Sequence, residues 1–203
     1  TIDVLDVVQK FETKKSTKNK YPVTILISDK LQALESEYQE MLEPISDLKE
    51  SDPKMFWFIV SWLKTNYKTP NWKGYGEPDW KQKAKQRGID CSGFARIMQD
   101  KIFRYDIKGG SRGILKKYCE TVSQDDITMG DLVFFQAPYS KSGRITHMGV
   151  YLKDGYFVHA TSTRSAAAGF GLRIDSLTSE RWDDELVAVG RVKEEYRSEN
   201  TSK

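Results

Sequence analysis

Residues 90–98, DCSGFARIM, place a small polar cluster, Asp90-Cys91-Ser92-Gly93, directly ahead of an apolar-periodic run through Phe94, Ile97, Met98 and Ile102. A polar residue followed by apolar residues at helical spacing predicts a helix start. Cys91 then falls in the first turn, where unpaired backbone N–H groups and the partial positive charge of the helix end favour a thiolate and can hold a developing oxyanion. Most lone cysteines are small buried hydrophobes. Here Asp90 and Ser92 form a polar flank that a packing position does not need, and Gly93 allows close backbone approach to a substrate. Cys91 is read as a nucleophile.

A nucleophilic thiol needs a base within hydrogen-bond reach, and the chain has only two histidines, His147 and His159. Both fall in β-rich segments, HMGVYL (147–152) and YFVHA (156–160), separated by Lys153-Asp154-Gly155, which predicts a hairpin turn. Alternation puts His147 with Gly149 and Tyr151, and His159 with Phe157 and Thr161. A loop with an odd number of residues aligns the two rings on one face of the sheet; a two-residue loop does not. If aligned, His147 can act as base and His159 can hold its other ring nitrogen. DLVFFQ (131–136), Leu172–Ile174 and Leu186–Val192 are further predicted strands. KGGSRGILKK (108–117) is predicted as a basic, glycine-containing loop.

Upstream, Ile2–Phe11 has the apolar spacing of a short amphipathic helix, Tyr21–Ser28 (YPVTILIS) the β-branched run of a strand, and Leu31, Leu34, Tyr38 and Met41 fall at helical spacing. SDLKESDPK (46–54) reads as a linker, KMFWFIVSWLKTNY from Lys54 as a buried core helix, and TPNWKGYGEPDW (69–80) as a loop. One helix cluster followed by antiparallel strands is the α+β pattern. The expected organisation is an accessory region at 1–52, a catalytic domain at 53–195 and a flexible tail at 196–203.

Composition narrows the function classes. With 32 basic and 29 acidic residues, and one dense lysine run at Lys14–Lys20, the chain gives no footing for a nucleic-acid partner. Two cysteines, Cys91 and Cys119, make neither a disulfide framework nor paired metal clips, so no metal and no structural zinc are expected. No apolar run reaches the length of a membrane span, and the N-terminal residues lack the pattern of a leader.

The order DCSGF (90–94), GDLVFF (130–135), HMGVYL (147–152) and YFVHATST (156–163), followed by Arg181-Trp182 and LVAVGRV (186–192), resembles the NlpC/p-sixty family of cell-wall cysteine peptidases over roughly Lys54–Val192. The resemblance implies a papain-like core with Cys91 as nucleophile, His147 as general base and His159 orienting it. It implies cleavage of peptidoglycan stem peptides or murein fragments after γ-linked D-glutamate, before the diamino acid, with Asp90 and Ser92 lining the pocket for the preceding residue. It further implies no cofactor and work outside the bacterial cytoplasm, periplasmic, secreted or lipid-anchored; a monomer is expected. One block departs from the pattern: Asn71 stands where many members carry a Tyr and Tyr75 where a second Gly would fall, so Trp72 or Tyr75 is expected to supply the missing ring. Competing readings are a non-catalytic cell-wall binding module of the same fold and a thiol amidase or acyltransferase. The accessory region is expected to narrow one end of the cleft.

Overall fold

The computed structural model describes residues 29–67, 79–137, 143–162 and 171–198. The predicted helix at Ile2–Phe11 and strand at Tyr21–Ser28 lie outside the described residues. The chain divides into two compact units, one ending at Leu63 and the other beginning at Lys64.

In the first unit, α1 (Asp29–Glu37), α2 (Gln39–Leu42), α3 (Leu48–Ser51) and α4 (Pro53–Trp62) follow one another with a 3₁₀ turn at Glu43–Ile45. The stretch expected as a linker is therefore helical. Leu48 is buried within it, and Asp52 closes it by accepting a hydrogen bond from Met55 N–H at 3.1 Å, with Pro53 in the first turn of α4. All residues from Met55 to Trp62 are buried, so α4 is apolar around its circumference rather than along one stripe. It groups with α1 and α3, which pack on it, rather than opening the second unit.

The second unit is α+β, as the pattern of the sequence requires. Six antiparallel strands, β1 (Cys119–Val122), β2 (Leu132–Gln136), β3 (Ile145–Lys153), β4 (Tyr156–Thr161), β5 (Gly171–Ser176) and β6 (Leu186–Val192), lie in the order β1-β6-β2-β3-β4-β5. The helices are α5 (Trp80–Arg87), α6 (Cys91–Met98), which runs on into a π-helical turn at Gln99–Phe103, α7 (Ser111–Tyr118) and α8 (Glu180–Glu185). α6 packs across β3 and β4, and α7 against β1 and β3. The segment 108–117, expected as a loop, supplies most of α7. Its glycine cost at Gly113 is offset by Ile114 and Tyr118, which are four apart and both buried.

Along β2 burial is continuous: Val133, Phe134 and Phe135 are all fully buried, because the strand is central and covered on both faces. Phe134 faces Leu115 of α7 across Gly190, where an added methyl would lie 2.9 Å from Cys119 and 3.0 Å from Leu115. Phe135 points the other way, into a cluster with Val133, Phe157, Trp182 and Val189 that α8 closes. Cys119 is thus a packing residue. Residues placed by the sequence in a tail also contact the folded unit: Tyr196 sits on Tyr118 with centroids 4.6 Å apart, and Arg197 pairs with Tyr105 through a β-bridge.

Candidate active site

Asp90 is the N-cap of α6. Its Oδ1 accepts from Gly93 N–H at 2.7 Å and from Ser92 Oγ–H at 2.9 Å, and the residue is only 1% exposed. Cys91 follows as the first residue of the helix and is buried. The backbone N–H groups of Met148, Ser92 and Cys91 itself favour its thiolate, yet burial and the Asp90 carboxylate outweigh them and push the thiol up to about 12. The sequence predicts the opposite direction from the helix end alone. The difference is physical: desolvation of the buried thiol disfavours its charged form, and the Asp90 carboxylate adds a negative charge to the same turn that offers a partial positive one. At neutral pH the unliganded site holds a thiol.

The Met148 N–H that reaches the thiol ties Cys91 to β3, where Met148 follows His147. His147 in turn meets His159: His147 Nε2 and His159 Nδ1 are 2.6 Å apart, with ring planes 79° to one another. That both rings share a face follows from an irregularity in the hairpin. Lys153 pairs with Tyr156 around the two-residue turn Asp154-Gly155, both at positive φ. Kept unchanged, that register would set His159 opposite Val150, on the wrong face for His147. A bulge between Tyr151 and Lys153 shifts the pairing to Tyr151↔Phe157 and Val150↔Val158. His159 then falls opposite Gly149, diagonal to His147 and on its face.

The chain of polar contacts continues beyond the two histidines. His159 Nε2 lies 3.0 Å from Asp175 Oδ2, Trp182 Nε1–H donates to the same oxygen at 3.0 Å, and Arg173 Nη2–H donates to Oδ1 at 3.3 Å. The Trp182 ring stacks on His147, 5.6 Å between centroids and 23° between planes, and meets His159 edge-on at 5.0 Å. Arg181 lies over the outer side of Trp182 at 4.3 Å. Burial, His159 and Arg181 hold His147 well below the ordinary imidazole range, and burial holds His159 down against the pull of Asp175. Burial pushes the Asp175 carboxyl up, but His159, Arg173 and Trp182 more than offset it, leaving it well below the usual carboxylate range.

These directions fix how stability responds to acid. Unfolded imidazoles bind protons below their ordinary value of 6.5 while His147 and His159 bind them only at lower pH, so their contribution to stability is complete above 6.5 and is lost as pH falls toward the folded-state values. Asp175 acts in the same sense further into acid. The melting temperature is expected to drop as the pH is lowered from about 7 to about 5, and His159→Gln is expected to flatten that drop. A flat wild-type profile over that range would contradict it.

Cys91, Asp90 and Ser92 open on a cleft of about 770 Å³ whose other lining includes Arg112 and Gly113 at the start of α7 and Arg144, Ile145 and Thr146 at the start of β3. Trp72 and Tyr75 lie outside the described residues. Tyr67 pairs with Ile89 through a parallel bridge and lies within electrostatic reach of Cys91: burial, Cys91 and Asp90 together push its phenol up to about 12. Nothing in the motif blocks points to Tyr67. Asp175 had a faint signal, because alternation in GLRIDS sets Arg173 and Asp175 on one face.

The family model for the NlpC/P60 family matches residues 72–191, more than half of the chain. The chain is 31% identical over 121 residues to the bifunctional muramidase/DL-endopeptidase CwlT of Bacillus subtilis, covering 58% of this chain and 33% of that protein. It is 36% identical over 104 residues to the gamma-D-glutamyl-L-lysine dipeptidyl-peptidase of the same organism, covering 51% and 32%. The chain thus spans about a third of the length of these two relatives. Among solved structures, an NlpC/P60 family protein from Bacillus cereus aligns at a TM-score of 0.43 and 25% identity, over 52% of this chain and 32% of that one. The chain belongs to the NlpC/P60 family.

Proposed function

We propose that this protein is a cysteine peptidase that hydrolyses peptidoglycan stem peptides at the bond between γ-D-glutamate and the diamino acid. Cys91 attacks the carbonyl, His147 takes the thiol proton, and His159 orients His147. The observation that carries this reading is the pairing of His147 with His159 at 2.6 Å on the strand whose next N–H points at Cys91. Because the resting thiol is protonated and the imidazole neutral, attack and proton transfer occur together rather than from a preformed ion pair. Backbone N–H groups at the start of α6 and at Met148 hold the oxyanion, and water releases the acyl-enzyme.

The cleft favours such a substrate. Arg112 and Arg144 line the cleft and bring positive charge to it, which suits a peptide rich in carboxylates. Asp90 and Ser92, tied to each other, line the pocket beside the nucleophile. The site of action is outside the cytoplasm, where stem peptides lie, and the reaction uses no cofactor.

Mass spectrometry of L-Ala-γ-D-Glu-diaminopimelate and its tetrapeptide after incubation with the protein tests the reading. The expected products are L-Ala-D-Glu and the free diaminopimelate end. Intact peptides in the presence of folded protein would reject the peptidase, cleavage elsewhere would reject the bond, and transfer to an added amine in preference to water would make the protein an acyltransferase.

A further inference from the structure

The hydrogen bonds around the histidine pair extend past the three residues of the proposed triad, and their far end is an acceptor with no proton to give. Asp175 receives His159 Nε2 at 3.0 Å and Trp182 Nε1–H at 3.0 Å on Oδ2, and Arg173 on Oδ1. We propose that Asp175 is a positioning residue for the catalytic base: by accepting only, it fixes the proton of His159 on Nε2 and, through His159 Nδ1, the proton of His147 on Nε2, leaving His147 Nδ1 bare to receive the proton of Cys91. The inference rests on His147 being the base.

With Asp175 ionised and both rings neutral, each step follows from the one before. An ionised carboxylate can only accept, so the nitrogen facing it carries hydrogen. A neutral imidazole has one N–H, so His159 Nδ1 is then an acceptor. His147 Nε2, 2.6 Å away, must donate to it, and the remaining lone pair of His147 is on Nδ1. Burial keeps both rings neutral, which this single-proton chain requires. His159, Arg173 and Trp182 keep Asp175 ionised and aimed, since these three residues converge on its two oxygens. When Cys91 transfers its proton to Nδ1, the new imidazolium lies two hydrogen bonds from a fixed negative charge.

In the Asp175→Asn variant a side-chain amide N–H can face His159 Nε2, and the chain then runs backwards: His159 Nδ1–H donates to His147 Nε2, and the His147 proton moves to Nδ1, the nitrogen that must be bare. The kcat for stem-peptide hydrolysis is expected to fall about 10²- to 10⁴-fold with KM nearly unchanged. Its pH profile is expected to change shape as well, because Arg173, Arg181 and Asp175 are the charged groups facing the pair, and only the anion would be lost.

Nitrogen-15 spectra of the histidine rings read the tautomers directly and need no variant: the wild type is expected to show His147 protonated on Nε2 and bare on Nδ1. A wild type with Nδ1 protonated, or an Asp175→Asn variant that is folded and has unchanged kcat, would overturn the proposal. Failure of the wild type to cut any stem peptide would instead reject the peptidase reading, while the ring spectra would still decide the tautomers.

Discussion

Cys91→Ala is expected to lower hydrolysis of stem peptides by at least about 10³-fold while leaving the melting temperature within a few degrees of the wild type. The side chain is small and sits at the first turn of α6, so losing the sulfur leaves little cavity, and the cap that starts the helix belongs to Asp90. No other thiol can take over, since Cys119 is buried beside Gly190 of β6. The pH dependence of the wild type carries further information. Burial and Asp90 hold the thiol at about 12, and burial, His159 and Arg181 hold His147 well below 6.5. The acid limb of kcat/KM is therefore expected on the acid side of the ordinary imidazole value, because the base stays unprotonated until the pH falls that far. Alkylation of Cys91 by iodoacetamide without substrate is expected to be slow at neutral pH, for lack of thiolate. Retained hydrolysis in Cys91→Ala would remove the thiol from the mechanism. Fast alkylation of the wild type below about pH 6 would mean a preformed ion pair.

The parts of this site that sequence makes legible are those carried by local pattern. Asp90 ahead of Cys91 announces a helix start, and Asp154-Gly155 announces a tight turn, since both residues accept the positive φ such a turn needs. Strands β2, β3, β4 and β6 are visible through their apolar and β-branched runs. What local pattern does not carry is register. The sequence leaves open whether His147 and His159 share a face; the two-residue turn alone would set them apart, the bulge between Tyr151 and Lys153 brings them together, and nothing in those residue types requires it. The same limit hides Tyr67, which reaches the nucleophile only through a single parallel bridge to Ile89, and Asp175, whose partner is sixteen residues away on the neighbouring strand. Electrostatics are hidden for a related reason. A helix N-terminus lowers a thiol pKa in isolation, but burial of the thiol, which local pattern does not show, and after it the charge of the cap reverse the effect.

The fold and the catalytic chain meet at Trp182, and its replacement should damage both. Its ring lies against Phe135 at 4.7 Å, His159 at 5.0 Å, Phe157 at 5.4 Å and His147 at 5.6 Å, and it is only 4% exposed. Trp182→Ala removes this wall from the β2–β4 face and is expected to cost about 3–5 kcal/mol in urea unfolding, the usual range for a buried tryptophan. The same change frees the His147 ring to rotate, so kcat is expected to fall in whatever fraction remains folded. Trp182→Phe separates the two effects. It keeps an aromatic ring in the stack but removes the Nε1–H that holds Asp175 Oδ2, so it is expected to cost about 1–3 kcal/mol and to lower kcat more than it raises KM. If Trp182→Ala unfolds at the wild-type urea midpoint, the packing of this face does not depend on the ring. If Trp182→Phe is as active as the wild type, Arg173 and His159 alone suffice to hold the carboxylate. The combination expected here, a large loss of stability for Ala and a loss confined mainly to kcat for Phe, would mean that one side chain closes the hydrophobic cluster with its ring and aims Asp175 with its nitrogen.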